Sequence, residues 1–151
     1  MKLEFRKAEE IDLPMLVQLL SDDELGATRE DHSKPLNPRY LEAFRSIDND
    51  SNNQLTVVES RGQLVGMLQL TFIQYLTHVG ARRCLIEGVR IARDFRGMGL
   101  GSTLIKWAIE QARIEGCSLI QLTSDKQRTD ALRFYEALSF KATHEGFKLR
   151  L

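Results

Sequence analysis

Cysteine is too scarce to staple this chain: Cys84 and Cys117 are the only two, and each lies within an apolar run. That excludes a disulfide framework and a cysteine metal cluster, so both read as buried thiols. His32, His78 and His144 stand far apart with no metal-ligand spacing, and no metal site is expected. An excess of one charge is also missing, since 21 basic residues offset 21 acidic ones. No global field therefore attracts nucleic acid or an anionic membrane. No stretch approaches the ~20 apolar residues that cross a bilayer. The opening Met-Lys-Leu-Glu-Phe-Arg lacks the apolar core of a secretory signal. These absences set the expectation of a soluble, cytoplasmic protein without a nucleic-acid or membrane partner.

With 151 residues, 42% of them apolar, and no repeat or low-complexity tract, the chain is expected to form one domain over 1–151. Phe5 to Ala8 reads as the end of a first strand. Asp12, Leu13 and Pro14 then start a helix carrying Met15-Leu16-Val17 and Leu19-Leu20. Ser21 to Pro38, with Asp22, Asp23, Glu24, Glu30 and Asp31, reads as a loop. A helix from Arg39 to about Ile47 carries Tyr40, Leu41, Phe44 and Ile47 at helical spacing. Leu55–Glu59 and Leu64–Tyr75 form a hairpin about Arg61-Gly62, and Arg82–Ile91 is a third neighbouring strand. Leu100, Leu104, Ile105, Ala108, Ile109 and Ala112 mark a helix that stops near Gly116, with Trp107 as a packing anchor. A short strand at Leu119–Thr123, a helix at Asp130–Leu138 and a terminal pair of strands over Phe140–Leu151 complete the order.

Between the third strand and the long helix stand Arg96, Gly97, Met98, Gly99, Leu100, Gly101 and Ser102. Glycines at such a junction permit positive φ and close backbone approach, so that N–H groups converge on anionic oxygens at the positive end of a helix dipole. A Walker A loop is excluded, because no Gly-Lys-Ser/Thr follows at the required distance. The dinucleotide fingerprint fails as well, its sixth position falling on Ser102 or Leu104. A reading on RNA built on Arg-Gly-Met-Gly fails for want of following aromatics. A tight strand-to-helix turn without a ligand remains open on these residues alone.

Three stretches in order resemble the GNAT superfamily of N-acetyltransferases. Arg96, Gly99 and Gly101 fill its Arg/Gln-x-x-Gly-x-Gly/Ala hallmark. Ile86-Glu87-Gly88-Val89-Arg90-Ile91 precedes it, and Ala131 to Phe140 is similar to the family's Ala-x-x-Phe-Tyr-Glu-x-Leu-Gly-Phe, with Ser139 in place of the glycine. The resemblance implies an α/β (α+β) fold, with a mixed, largely antiparallel sheet of about seven strands flanked by about four helices. It implies acetyl-CoA as the acetyl donor, no metal, and a primary amine as acceptor, a small molecule in preference to a protein. Its pyrophosphate would lie on the amides of Gly97, Met98, Gly99, Leu100, Gly101 and Ser102, beside Arg96. The pantetheine arm would pair with backbone groups of Val89 and Ile91. Arg128, where many members have asparagine, either reaches a phosphate of CoA or is a solvated helix start. Ser139 suggests a slightly different turn. In some similar proteins the terminal strands pair across a homodimer, an arrangement the resemblance leaves open here.

Direct attack needs a neutral amine, yet a lysine-like amine of pKa ~10.4 is neutral in roughly one molecule in a thousand at pH 7. On strand alternation Leu85, Glu87, Val89 and Ile91 share a face, which places a carboxylate among apolar neighbours where desolvation would make it a base. Glu87 also stands nine residues before Arg96, as the acidic residue does in the similar diamine and glucosamine-phosphate acetyltransferases. A pairing with Arg82, Arg83 or another surface arginine is the competing reading. Tyr135 matches the family's general acid, which would protonate the leaving thiolate, or else it is a core tyrosine in step with Leu132 and Leu138. The acidic loop 21–38 either draws a cationic acceptor or is merely solvated. The alternative function is a non-catalytic acyl-CoA-binding regulatory module.

Overall fold

The computed structural model describes residues 1–151, which separate into two compact units, Met1–Gln121 and Leu122–Leu151. The first unit is built on five strands: β1 (Glu4–Lys7), β2 (Asn53–Ser60), β3 (Gln63–Gln74), β4 (Arg82–Ile91) and β5 (Leu119–Gln121). They lie side by side in chain order. The first three pairings are antiparallel, and β4 meets β5 in parallel.

Helices cover both faces of this sheet. Helices α1 (Leu13–Ser21) and α3 (Pro38–Asp48) lie on one, where Leu13, Leu16, Leu19 and Phe44 pack with Leu55, Val57 and Met67. Long helix α5 (Leu100–Ile114) buries Leu100, Leu104, Ile105, Ala108 and Ala112 on the other face. There Trp107 stacks on Phe5, ring centroids 4.7 Å apart, the anchoring role expected of it. No helix is long and apolar enough to cross a membrane.

Segment 21–38 is not the plain loop its polarity suggests, because α2 (Glu24–Arg29) forms within it. Asp23 caps that helix by accepting from the Gly26 N–H. Gly26 is obligatory, since a Cβ there would stand 1.9 Å from the Leu20 carbonyl oxygen. The β3–β4 connection is the single turn α4 (Thr77–Gly80), with His78 and Val79 left-handed at φ 53° and 59°. Cys84 is fully buried, which pushes its thiol up to about 12. Cys117 is only half-buried, contrary to expectation.

The second unit contains α6 (Ala131–Ala137) and no strand. The expected terminal pair is absent, so the sheet has five strands where about seven were expected. From Lys141 to Leu151 every residue is exposed. The alternating Phe147, Leu149 and Leu151 thus have a strand's pattern without a buried face, and burial is what makes such a pattern hold a register.

Around the α1 start, Arg6 donates to both oxygens of Asp12, at 2.8 and 2.9 Å, and to Glu59 at 2.6 Å. The Arg6 hydrogen bonds hold the Asp12 carboxyl below the usual carboxylate range. A folded pKa below the unfolded one means a contribution fully present above pH ~4 and lost as pH falls through the folded value. Asp12→Asn is therefore expected to cost about 1–3 kcal/mol at pH 7, with the gap from the parent closing below pH ~4 in urea titrations.

Candidate active site

The run from β4 to α5 holds most of the residues singled out in the sequence. Gly99 caps α5 at φ 79°, ψ 4°, a left-handed conformation, and no side chain closes the helix start. The first-turn N–H groups of such a helix lack intrahelical partners, and together with the dipole they favour an anion. A Cβ built on Gly97 or Gly99 meets nothing within 4 Å. The space in front of the loop is open, as a ligand's approach requires. Met98 is 56% exposed, Leu100 is buried and anchors the turn, and Ser102 is half-buried within it. Thr103 bonds to the Gly99 carbonyl through both its amide and its hydroxyl.

Arg96 does not project freely into that space. Its Nε donates to the Ile91 carbonyl at 3.1 Å, and its Nη2 reaches the backbone and side chain of Asp22, each at 3.1 Å. Arg93 grips the other oxygen of the same carboxylate at 2.5 Å. Asp22 is the C-cap of α1, so this clamp ties the α1 end to the glycine loop. Asp23 pairs with Arg90 at 3.5 Å, and Glu30 accepts from the Tyr40 hydroxyl at 2.7 Å. Three acidic residues of segment 21–38 are thereby engaged within the fold. Nothing in the sequence spacing pairs Asp22 with arginines more than seventy positions away.

Strand β4 pairs with β5 only from Arg83 to Leu85. From Ile86 to Ile91 its edge on that side has no β5 partner. Two carbonyls on this stretch accept from arginines: Val89 from Arg90 Nη1 at 2.9 Å, and Ile91 from Arg96. Here β4 also bulges, because Gln69 opposes Glu87 and Met67 opposes Arg90, which leaves Gly88 and Val89 together against Leu68. Gly88 takes φ 62° at the bulge, where a side chain would be strained.

The bulge reverses the alternation expected for β4. Glu87 shares a face with Leu85 and Arg90, whereas Val89 and Ile91 turn to the face carrying Ile86. Glu87 is exposed rather than set among apolar neighbours, which corrects the desolvated environment read from strict alternation. Neither does it pair with a neighbouring arginine. Arg82 is held by Glu115 and Asn52, and Arg83 by Gln121 and the Tyr75 ring.

On the Glu87 face of the sheet lies a cavity of about 180 Å³. Helix α1 lines it with Leu13, Leu16, Val17 and Leu20, and α3 with Tyr40, Ala43, Phe44 and Ile47, two stripes at the same i, i+3, i+4, i+7 spacing. Leu55, Met67, Gln69 and Gly88 form its floor. Gln69 and Gly88 are respectively the cross-strand and chain neighbours of Glu87. The helical stripes were legible in sequence; that their meeting leaves a hollow was not.

The second unit carries Arg128 and Tyr135. Arg128 is half-buried, and its backbone joins the turn ahead of α6, the carbonyl accepting from Ala131 N. Tyr135 is half-buried, with Phe134 and Phe140 edge-on to its ring at 5.0 and 5.7 Å. The helix closes by bonds from Phe140 N to Tyr135 O and from Ser139 N to Glu136 O, a Schellman motif. Ser139 stands at φ 70°. It takes the left-handed conformation that glycine would take, so the turn is preserved, contrary to the altered turn expected. Ser139→Gly is accordingly expected to stabilise the protein by about 1 kcal/mol through relief of that conformation, visible as a higher urea midpoint.

Comparison with known proteins agrees with this architecture. The acetyltransferase (GNAT) family model matches residues 14–140. An aminoalkylphosphonate N-acetyltransferase of Salmonella typhimurium is 33% identical over 111 residues, 72% of this chain and 70% of that protein. A Bacillus halodurans structure named as a transcriptional regulator is 53% identical, with a TM-score of 0.96 over 99% of this chain and all of that one. A Trypanosoma brucei acetyltransferase structure is 30% identical, with a TM-score of 0.78 over 99% of this chain and all of that one. The uncapped α5 start, the glycine loop and these matches together place the chain in the GNAT family, as an acetyl-CoA-dependent N-acetyltransferase.

Proposed function

We propose that this enzyme acetylates a small-molecule primary amine by direct attack in a ternary complex. The observation that carries the proposal is the juxtaposition of the uncapped α5 start with the unpaired β4 edge. The first offers amides to a pyrophosphate, and the second offers a strand edge to an extended, amide-bearing arm. The residues present fit acetyl-CoA, since the open space before Gly97 and Gly99 lets phosphate oxygens approach the backbone. Backbone groups of Val89 and Ile91 would receive the arm. Arg96 and Arg128 would meet phosphates, Arg96 by exchanging Asp22 for a stronger anion.

Glu87 takes the proton from the attacking nitrogen. It is unpaired, and its place beside Gln69 and Gly88 puts it next to the cavity. A backbone N–H near Val89 stabilises the carbonyl oxygen as it gains charge. Tyr135 supplies a proton to the departing sulfur, a role supported by the family motif it occupies. The names of relatives support a small acceptor: the Salmonella protein is an aminoalkylphosphonate acetyltransferase, and a bovine relative, 32% identical over 80 residues, is a thialysine acetyltransferase.

Release of free CoA thiol from acetyl-CoA across a panel of amines tests this reading. Glu87→Gln is expected to lower kcat/KM about 100-fold at pH 7. Equal values for parent and variant would remove Glu87 from the reaction. Binding of acetyl-CoA without release by any amine would favour a non-catalytic regulator, the reading suggested by the name of the Bacillus structure.

A further inference from the structure

We infer that the acceptor is a primary amine on a compact, uncharged apolar body, which fills the cavity beneath α1 and α3. The inference rests on the proposed transfer at Glu87 and gives its substrate a chemical class. At about 180 Å³ the hollow is large enough for a body the size of benzene, for which about 150 Å³ suffices. Its walls are almost wholly aliphatic and aromatic, and no charged side chain lines it. A second ammonium, a carboxylate or a phosphonate on the substrate would be desolvated there without a partner, a heavy penalty.

Arg90, a cation on the same sheet face, is already engaged by Asp23 and the Val89 carbonyl. Tyr40 turns its hydroxyl to Glu30 and the Asp31 amide. One polar atom is left over: Gln69 spends its amide NH₂ on Asn53 at 3.1 Å, while its Oε1 accepts nothing. Glu87 stands directly across from it on β4. The two acceptors mark one edge of the hollow as the place for a nitrogen, with the apolar body pointing inward. The amine proton passes to Glu87 as nitrogen bonds to the acetyl carbon and the carbon–sulfur bond breaks.

The test compares benzylamine and 3-methylbutylamine with spermidine, lysine, glucosamine and 2-aminoethylphosphonate at fixed acetyl-CoA. The apolar amines are expected to show kcat/KM at least about tenfold higher, the scale set by apolar pocket discrimination. Ala43→Leu adds bulk to the wall at an exposed helical position that tolerates leucine. It should raise the KM for benzylamine about tenfold and leave calorimetric acetyl-CoA binding unchanged. Preference for charged amines, or indifference to Ala43→Leu, would overturn the inference while leaving acetyl transfer standing. If no amine releases CoA, the transfer reading fails, and ¹⁹F NMR of 4-fluorobenzylamine decides the pocket separately. Binding lost in Ala43→Leu upholds the pocket, and no binding to the parent protein overturns it.

Discussion

Gly99→Val is expected to abolish calorimetrically measurable acetyl-CoA binding, weakening it by at least about 100-fold, while the protein stays folded. Two physical effects act at this position. Gly99 holds φ 79° at the α5 start, a conformation that costs an L-residue about 1–2 kcal/mol and a β-branched one more. The valine methyls would also project into space that is empty of protein within 4 Å, where phosphate oxygens must come within ~3 Å of the amides. Gly99→Ala separates the two effects. It carries most of the backbone strain and less of the obstruction, so its stability should fall by about 1–2 kcal/mol with a smaller loss of affinity. A valine variant that binds acetyl-CoA like the parent would show that the loop is a turn and nothing more.

Tyr135→Phe should lower kcat about 100-fold or more, the usual scale for a lost general acid, and leave acetyl-CoA affinity intact. Phenylalanine retains the ring that Phe134 and Phe140 flank edge-on, so the change removes a proton donor rather than a packing group. The Schellman closure through the Tyr135 carbonyl is likewise kept. Because the proton is needed only as the sulfur departs, kcat and kcat/KM should fall together. A fall in stability with kcat unchanged would instead mark Tyr135 as a structural residue.

Features that depend on local patterns were legible in the sequence. The stripe from Leu100 to Ala112, the hairpin with its third neighbouring strand and the glycine loop all follow from spacing and turn chemistry, and they recur in the structure. Features that depend on meetings across the fold were not. Asp22 and Asp23 look like surface charge until Arg93, Arg96 and Arg90 are brought to them. Gly88 held a usable signal, since glycine inside a strand often marks a bulge. The bulge at Gly88 breaks the alternation beyond Glu87, so the spacing of Leu85, Val89 and Ile91 misstates the surroundings of Glu87. Phe147, Leu149 and Leu151 failed in the opposite way, their alternation being real but without a surface to bury it.

The carboxylate of Asp22 gives the link between α1 and the glycine loop a property that a single ion pair lacks, which is redundancy. Each of its oxygens serves a different guanidinium, Oδ1 bonding Arg93 and Oδ2 bonding Arg96. Were Arg96 to exchange this carboxylate for a phosphate, as proposed, Arg93 would keep its hold and the helix end would stay moored. Loss of either arginine alone is therefore buffered by the other, and the pair should behave non-additively in a double-mutant cycle. Removal of the shared carboxylate ends both ion pairs at once and leaves only the bond from Arg96 to the Asp22 backbone carbonyl.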